Sequence, residues 1–162
     1  MADASGRTDG TIPRLAGQPA AIIVDKLHKI RDGKTDLPVM LPFARALSAA
    51  ETEAIASYVA DLPTAIATPR GETAAAPRPP EYAALCAACH GSAGEGIEGL
   101  RSPRLCGQHA AYLARRLDEI ALNTRGDADA AMAAIVTSLT PDRRNALATW
   151  LASGACSSEQ EP

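Results

Sequence analysis

Apolar residues along this chain recur at helical spacing. Ile23, Leu27 and Ile30 stand four and three residues apart, which sets them on one helix face, and Leu113, Leu117 and Ile120 repeat the arrangement. Ser48 with Glu51 forms an S-x-x-E capping box ahead of a helix whose inner face would carry Ile55 and Val59. Thr140 followed by Pro141 opens another helix, with Leu147 and Leu151 facing inward. No stretch alternates apolar and polar residues as a half-buried strand does. The pattern predicts an all-α protein.

The same segments are copies of one another. "PRLAGQ" at 13–18 returns as "PRLCGQ" at 103–108, an offset of 90 that the apolar triads keep. From Met40 and Met132 onward the offset is 92, pairing Leu47-Ser48 with Leu139-Thr140 and Tyr58-Val59 with Trp150-Leu151. Two residues inserted in a loop account for the change, since loops tolerate insertion. Between the copies, residues 63–80 hold five prolines and read as a linker. The organisation predicted is a first unit over 1–62, a Pro-rich linker over 63–79 and a second unit over 80–156.

Composition adds one clue. The 162 residues include one Phe, three Tyr and one Trp, with alanine in place of bulk. A core so poor in large side chains would fill better around a large apolar cofactor. A net charge of −3 lacks the basic footprint that a nucleic-acid partner needs. No uninterrupted apolar run reaches membrane-spanning length, so no integral membrane segment is expected. The opening "MADASGRTDG" shows no basic region followed by an apolar stretch, so no secretory signal is visible.

"CAACHG" at 86–91 carries the chemistry. On a helix, Cys86, Cys89 and His90 share one face. The two thiols can then form thioethers with the vinyl groups of one haem, leaving His90 pointing at the iron from the same side. Zinc would want a second ligand pair, and the chain has no further C-x-x-C or H-x-x-x-H. A redox dithiol would sit in a βαβ context. Motif and context together favour haem attachment. A sixth, methionine ligand raises the potential of haem iron relative to a second nitrogen. Met1, Met40 and Met132 are the only methionines, and Met132 alone is available in the second unit, where its other role would be gap-filling. Pro103 offers a carbonyl without an N–H, so it is a candidate acceptor for the other ring N–H of His90; its bland reading is a proline that opens a helix.

Other features carry less. "GEGIEG" at 94–99 fits G-x-G-x-x-G but follows no strand, and reads as a flexible loop. His28 and His109 read as surface residues on helices. Cys106 and Cys156 either close a disulfide or stay as two buried thiols, and their counterparts in the first copy are not cysteines.

"CAACHG", "SPRLCGQ", Met132 and "LTPDRRNALATWLAS" together resemble a class I cytochrome c, and the repeat resembles the tandem dihaem cytochromes c of bacterial periplasms. The resemblance implies thioether sites at Cys86 and Cys89, axial ligation by His90 and Met132, and the Pro103 carbonyl on His90. It implies a periplasmic electron carrier rather than an enzyme, exchanging electrons with redox proteins such as a dehydrogenase or an oxidase. A haem subunit fixed to a dehydrogenase, with the first unit as docking module, is the alternative; a haem enzyme or gas sensor would need an open sixth position. Residues 11–62 resemble the later two-thirds of such a domain, including the methionine position at Met40. An offset of 90 would put the first C-x-x-C-H before residue 1. One haem c is therefore expected in this chain, and a second only if the natural chain extends upstream of Met1. A truncated start is favoured over a naturally haemless first domain.

Overall fold

The computed structural model describes residues 3–64, 78–124 and 126–154. Residues 3–19 form turns that lead into helix α1 (Ala20–Arg31), followed by α2 (Leu41–Ala46) and α3 (Ala49–Ala60). The second half holds α4 (Ala87–His90), α5 (Ala110–Ala121), α6 (Ala130–Thr137) and α7 (Pro141–Ala152). The fold is all-α, as its periodicity predicts; among the described residues the only β pairing is an isolated bridge between Ile97 and Ser102.

The repeat in the sequence is a repeat in the structure. Helix α5 has the bounds of α1 shifted by 90, and α7 those of α3 shifted by 92. Local chemistry repeats with them. Ser48 accepts from the Glu51 N–H while the Glu51 carboxylate accepts from Ser48, completing the capping box of α3. At the matching place Thr140 accepts from the Arg143 N–H to start α7. Gly33 and Asn123, both with positive φ, turn the chain after α1 and α5. Gly17 N–H donates to the Val59 carbonyl (3.0 Å) and Gly107 N–H to that of Leu151 (2.9 Å), which ties each PRL-x-GQ loop to its final helix. With the two extra residues of the second copy placed at 125–126, Thr35 and Asp127 are counterparts.

The copies meet through paired contacts. Gln18 Nε2 donates to the Arg104 carbonyl (2.8 Å) and its Oε1 accepts from Arg104 N–H (3.1 Å). Gln108 does the same with the Arg14 carbonyl (2.9 Å) and N–H (2.8 Å). Gln18 meets Arg104 as its counterpart Gln108 meets Arg14, the counterpart of Arg104, and this reciprocity is the signature of a two-fold relation.

Packing differs between the copies. In the second, Tyr82, Cys106, Leu113, Leu139, Leu147, Ala148, Trp150 and Leu151 form one buried cluster. In the first, the cluster of buried residues is Ile23, Ala56 and Val59, joined by Ala4, Ala20, Val24 and Leu27 at its edge. Trp150 is 2% exposed, whereas its counterpart Tyr58 is 61% exposed, and Phe43 and Val39 of the first copy are similarly open. The second copy covers that face with the segment that carries C-x-x-C-H; the described first copy has no such segment. Helix α3 also departs from expectation. Val59 faces inward as expected, but Ile55 is exposed and Thr52 and Ala56 point inward instead, the small Ala56 lying fully buried where α3 packs on α1. The greater part of the predicted linker, 65–77, lies outside the described residues.

Candidate functional site

The site grows from a short helical segment with an irregular start. Tyr82–Cys86 forms a wide π-helical turn that tightens into α4 at Ala87. Such turns recur at functional positions because they re-aim a side chain within a helix. The simple α-helical face expected for Cys86, Cys89 and His90 is thus modified: Cys86 sits at the junction, with φ −110°. Cys86 is half-buried and Cys89 exposed, and both are free thiols. Burial pushes the Cys86 thiol up to about 11, with the neighbouring Cys89 and Glu81 adding to the effect.

His90 ends α4 and is 7% exposed. Its Nδ1 lies 3.0 Å from the Pro103 carbonyl, so the protonated Nδ1 donates there and Nε2 is left for a metal. Burial lowers the pKa of His90, with the Pro103 carbonyl pulling in the opposite direction. The neutral imidazole that results is the form that binds metal.

Three supports hold this geometry. Tyr82 donates its hydroxyl proton to the Gly91 carbonyl (2.7 Å), clasping the two ends of the segment, and its ring packs on Trp150 at 4.8 Å. The second support is the 94–99 loop. Gly96 N–H donates to the His90 carbonyl (2.8 Å), and the Gly94 carbonyl accepts from Leu105 (2.8 Å) and Cys106 (3.0 Å). The loop is a strap between α4 and the Pro103 segment rather than the flexible loop expected. Gly96 has φ +83°, and a Cβ there would fall 2.8 Å from Arg104 N and 3.0 Å from the Pro103 carbonyl carbon. Third, Cys106, four residues after Ser102, is disulfide-bonded and buried. Its expected partner, Cys156, lies outside the described residues.

Met132 comes from a different element. It occupies the first turn of α6, half-buried, where Asp129 caps the helix by accepting from Ala131 N–H (2.9 Å) and Met132 N–H (3.3 Å). Met40 holds the matching place at the start of α2.

The donor set fits a covalently held haem. Two free thiols precede a buried imidazole whose Nδ1 is engaged by the Pro103 carbonyl, leaving Nε2 for a metal. Beside Pro103, the Arg104 Nε is buried with no hydrogen-bond partner among the described residues, a cost that a propionate carboxylate of a haem would remove. Zinc does not fit: no three His, Cys, Asp or Glu among the described residues are grouped to hold a metal ion.

Sequence reasoning missed Tyr82, Arg104 and the two glutamines. Tyr82 was legible as one of only five aromatics, four residues before the first motif cysteine. The glutamines recur at the repeat offset, and that recurrence was their signal. His109 corrects the surface reading. It precedes α5 instead of lying on it, is half-buried, and its Nε2 meets the Ser5 carbonyl at 2.7 Å across the repeat boundary. His28 lies on α1 and is half-buried as well.

Comparison with known proteins places this geometry. The cytochrome c family model matches residues 81–155. A thiosulfate dehydrogenase electron acceptor from Stutzerimonas stutzeri is 34% identical over 162 aligned positions, covering 93% of this chain and 74% of the relative. A cytochrome c4 from Pseudomonas aeruginosa is 32% identical, covering 70% and 60%. Among solved structures, a thiosulfate dehydrogenase (TsdBA) from Marichromatium purpuratum aligns with a TM-score of 0.72 at 29% identity, over 94% of this chain but only 34% of that one. The motif, the all-α repeat and these likenesses agree: the chain belongs to the class I cytochromes c, on the tandem two-domain plan, and is a haem c electron carrier rather than an enzyme.

Proposed function

We propose that this chain carries single electrons in the bacterial periplasm through one haem c attached at Cys86 and Cys89, with His90 and Met132 as axial ligands. The observation that carries the His90 assignment is the 3.0 Å contact between its Nδ1 and the Pro103 carbonyl; Met132 is assigned by its place in the repeat opposite Met40. Bound haem supplies one-electron chemistry at iron; the chain supplies attachment, ligation and burial. Cys86 and Cys89 fix the ring. The Pro103 carbonyl holds the His90 tautomer and ring plane, and Arg104 offers its buried Nε–H to a propionate. Met132 would hold the iron opposite the motif, and the bound group would then supply electron transfer with no open position for a substrate.

The periplasmic location rests on covalent haem attachment, which the family performs outside the cytoplasm, and on a disulfide at Cys106, which an oxidising compartment permits. No helix among the described residues is long and apolar enough to cross a membrane. The donor proposed is a thiosulfate-oxidising dehydrogenase, by likeness to the electron acceptor named for Stutzerimonas stutzeri. The acceptor is a terminal oxidase or reductase. The resemblance to part of a longer dehydrogenase chain favours a second reading, a haem subunit held in a dehydrogenase complex with the first repeat as docking module. The exposed Val39, Phe43 and Tyr58 favour that module, and equally a haem-bearing helix supplied by a longer natural chain, which would then bind two haems.

The ligands are tested in the purified holoprotein. Acid–acetone should leave the haem on the chain, and the ferric spectrum should show the weak near-infrared band of sulfur ligation, lost in Met132→Ala. Extractable haem, or a band indifferent to that change, refutes the assignment. Native purification as a free chain or in a dehydrogenase complex separates the two readings.

A further inference from the structure

We propose that Asp127 is a positioning residue for the sixth ligand: its carboxylate binds one cation from each repeat and so fixes the loop that delivers Met132. The proposal rests on Met132 as axial ligand. Asp127 lies five residues before Met132, in the loop between α5 and α6, and its side chain is 1% exposed. One oxygen accepts from Lys26 Nζ of the first repeat (2.8 Å) and from Thr35 Oγ1 of the first repeat (3.3 Å). The other accepts from the Arg116 guanidinium of the second repeat, itself held by Glu119 at 3.2 Å. Lys26 and Arg116 are counterparts at the offset of 90, and Thr35 and Asp127 are counterparts around the insertion. The four groups therefore sit about the relation that links the copies, yet one acid serves both cations.

A carboxylate so deeply buried is costly unless charges and hydrogen bonds compensate it, and here every contact compensates. The loop has reason to need an anchor. The stretch from Ile120 to Met132 is two residues longer than its counterpart from Ile30 to Met40, and a longer connection carries more conformational entropy. Asp127 pins its middle and Asp129 caps the helix that follows, so Met132 is presented by a segment fixed at two points. The first of those points depends on the other repeat. Lys26 and Thr35 thus reach the sixth ligand through Asp127, and the stability of methionine ligation depends on the repeats being docked.

The test uses an external ligand that binds ferric iron only when methionine leaves, so that its apparent affinity scales with the open fraction. Imidazole is titrated into the ferric holoprotein and followed by its absorption spectrum, with far-UV circular dichroism confirming the fold. Asp127→Asn should tighten imidazole binding about tenfold and Lys26→Gln about threefold, since each frees the loop. Asp118→Asn, which removes the exposed α5 partner of Arg144 on α7, should change nothing. Should Asp127→Asn fail to fold, the milder Lys26→Gln decides, because Lys26 is already 42% exposed. Unchanged imidazole affinity in Lys26→Gln and in any folded Asp127→Asn protein overturns the proposal, provided the parent shows the sulfur band that Met132→Ala removes. A parent without that band refutes Met132 as ligand, and the proposal with it.

Discussion

Gln18 and Arg104 exchange two hydrogen bonds across the repeat boundary, side-chain amide to backbone, and one of them satisfies the carbonyl next to the residue that orients His90. The first repeat thereby holds the backbone of the site in the second. Gln108 returns the arrangement on Arg14.

Removing either amide strands a backbone N–H and a carbonyl in a contact where both glutamines are under 10% exposed. Each unsatisfied group costs about 1–3 kcal/mol. Gln108→Ala and Gln18→Ala should each lower stability by roughly 2–4 kcal/mol, read from guanidinium unfolding midpoints. Only Gln18→Ala should also disturb the haem spectrum, because Arg104 adjoins Pro103. Equal spectral effects from both would argue against this link.

Asp127 gives a pH dependence. Burial works to raise its carboxyl, but hydrogen bonds and charge from Lys26 and then Arg116 outweigh burial and hold it at about 2. A carboxyl lowered in the folded state adds stability that is fully present above its unfolded value, near 4, and is lost as pH falls toward 2. Stability should therefore fall between about pH 4 and pH 2, and Asp127→Asn should flatten that limb. Thermal unfolding across the range measures it.

Tyr82 clasps the haem-bearing segment with its hydroxyl and fills the core with its ring. Tyr82→Phe removes the hydroxyl, with its bond to the Gly91 carbonyl and its interaction with the Gly94 backbone, and should cost about 1 kcal/mol. Trp150→Ala removes the surface beneath the ring and should cost about 3–5 kcal/mol. Calorimetry of the two variants separates clasp from packing.

Gly96→Ala should be damaging beyond its size. Its backbone stands at φ +83° and the new methyl would meet backbone atoms of Arg104 and Pro103. We expect a loss on the order of 2 kcal/mol and a smaller yield of covalently attached haem. Gly99→Ala, where a Cβ meets nothing within 4 Å, is the control. Haem staining after denaturing electrophoresis compares the two.

Helix bounds and caps were legible in the sequence because they are written locally: Ser48 with Glu51, Thr140 with Pro141, the triads on α1 and α5. The C-x-x-C-H spacing was legible for the same reason. Ile55 misled because a helix face is set by what packs on it, and the buried Ala56 lets α3 lie close to α1 at the expense of the larger neighbour. Arg104 and Asp127 were invisible for another reason. Their partners lie 86 and 101 residues away, and only the folded arrangement brings opposite charges or amides to them. His109 was misread likewise, its partner Ser5 belonging to the other repeat.

The shared acid makes the charge balance at the repeat boundary unequal between the two copies. Two copies of the second repeat, paired through the same relation, would supply two aspartates for two arginines and remain neutral there. Two copies of the first would bring two lysines together with only threonines between them. The dependence is one-sided: the first repeat brings Lys26 and Thr35 to this boundary and no acid, while the second brings both Arg116 and Asp127. By charge alone, a second repeat could pair with a copy of itself, whereas two copies of the first would repel each other at this boundary.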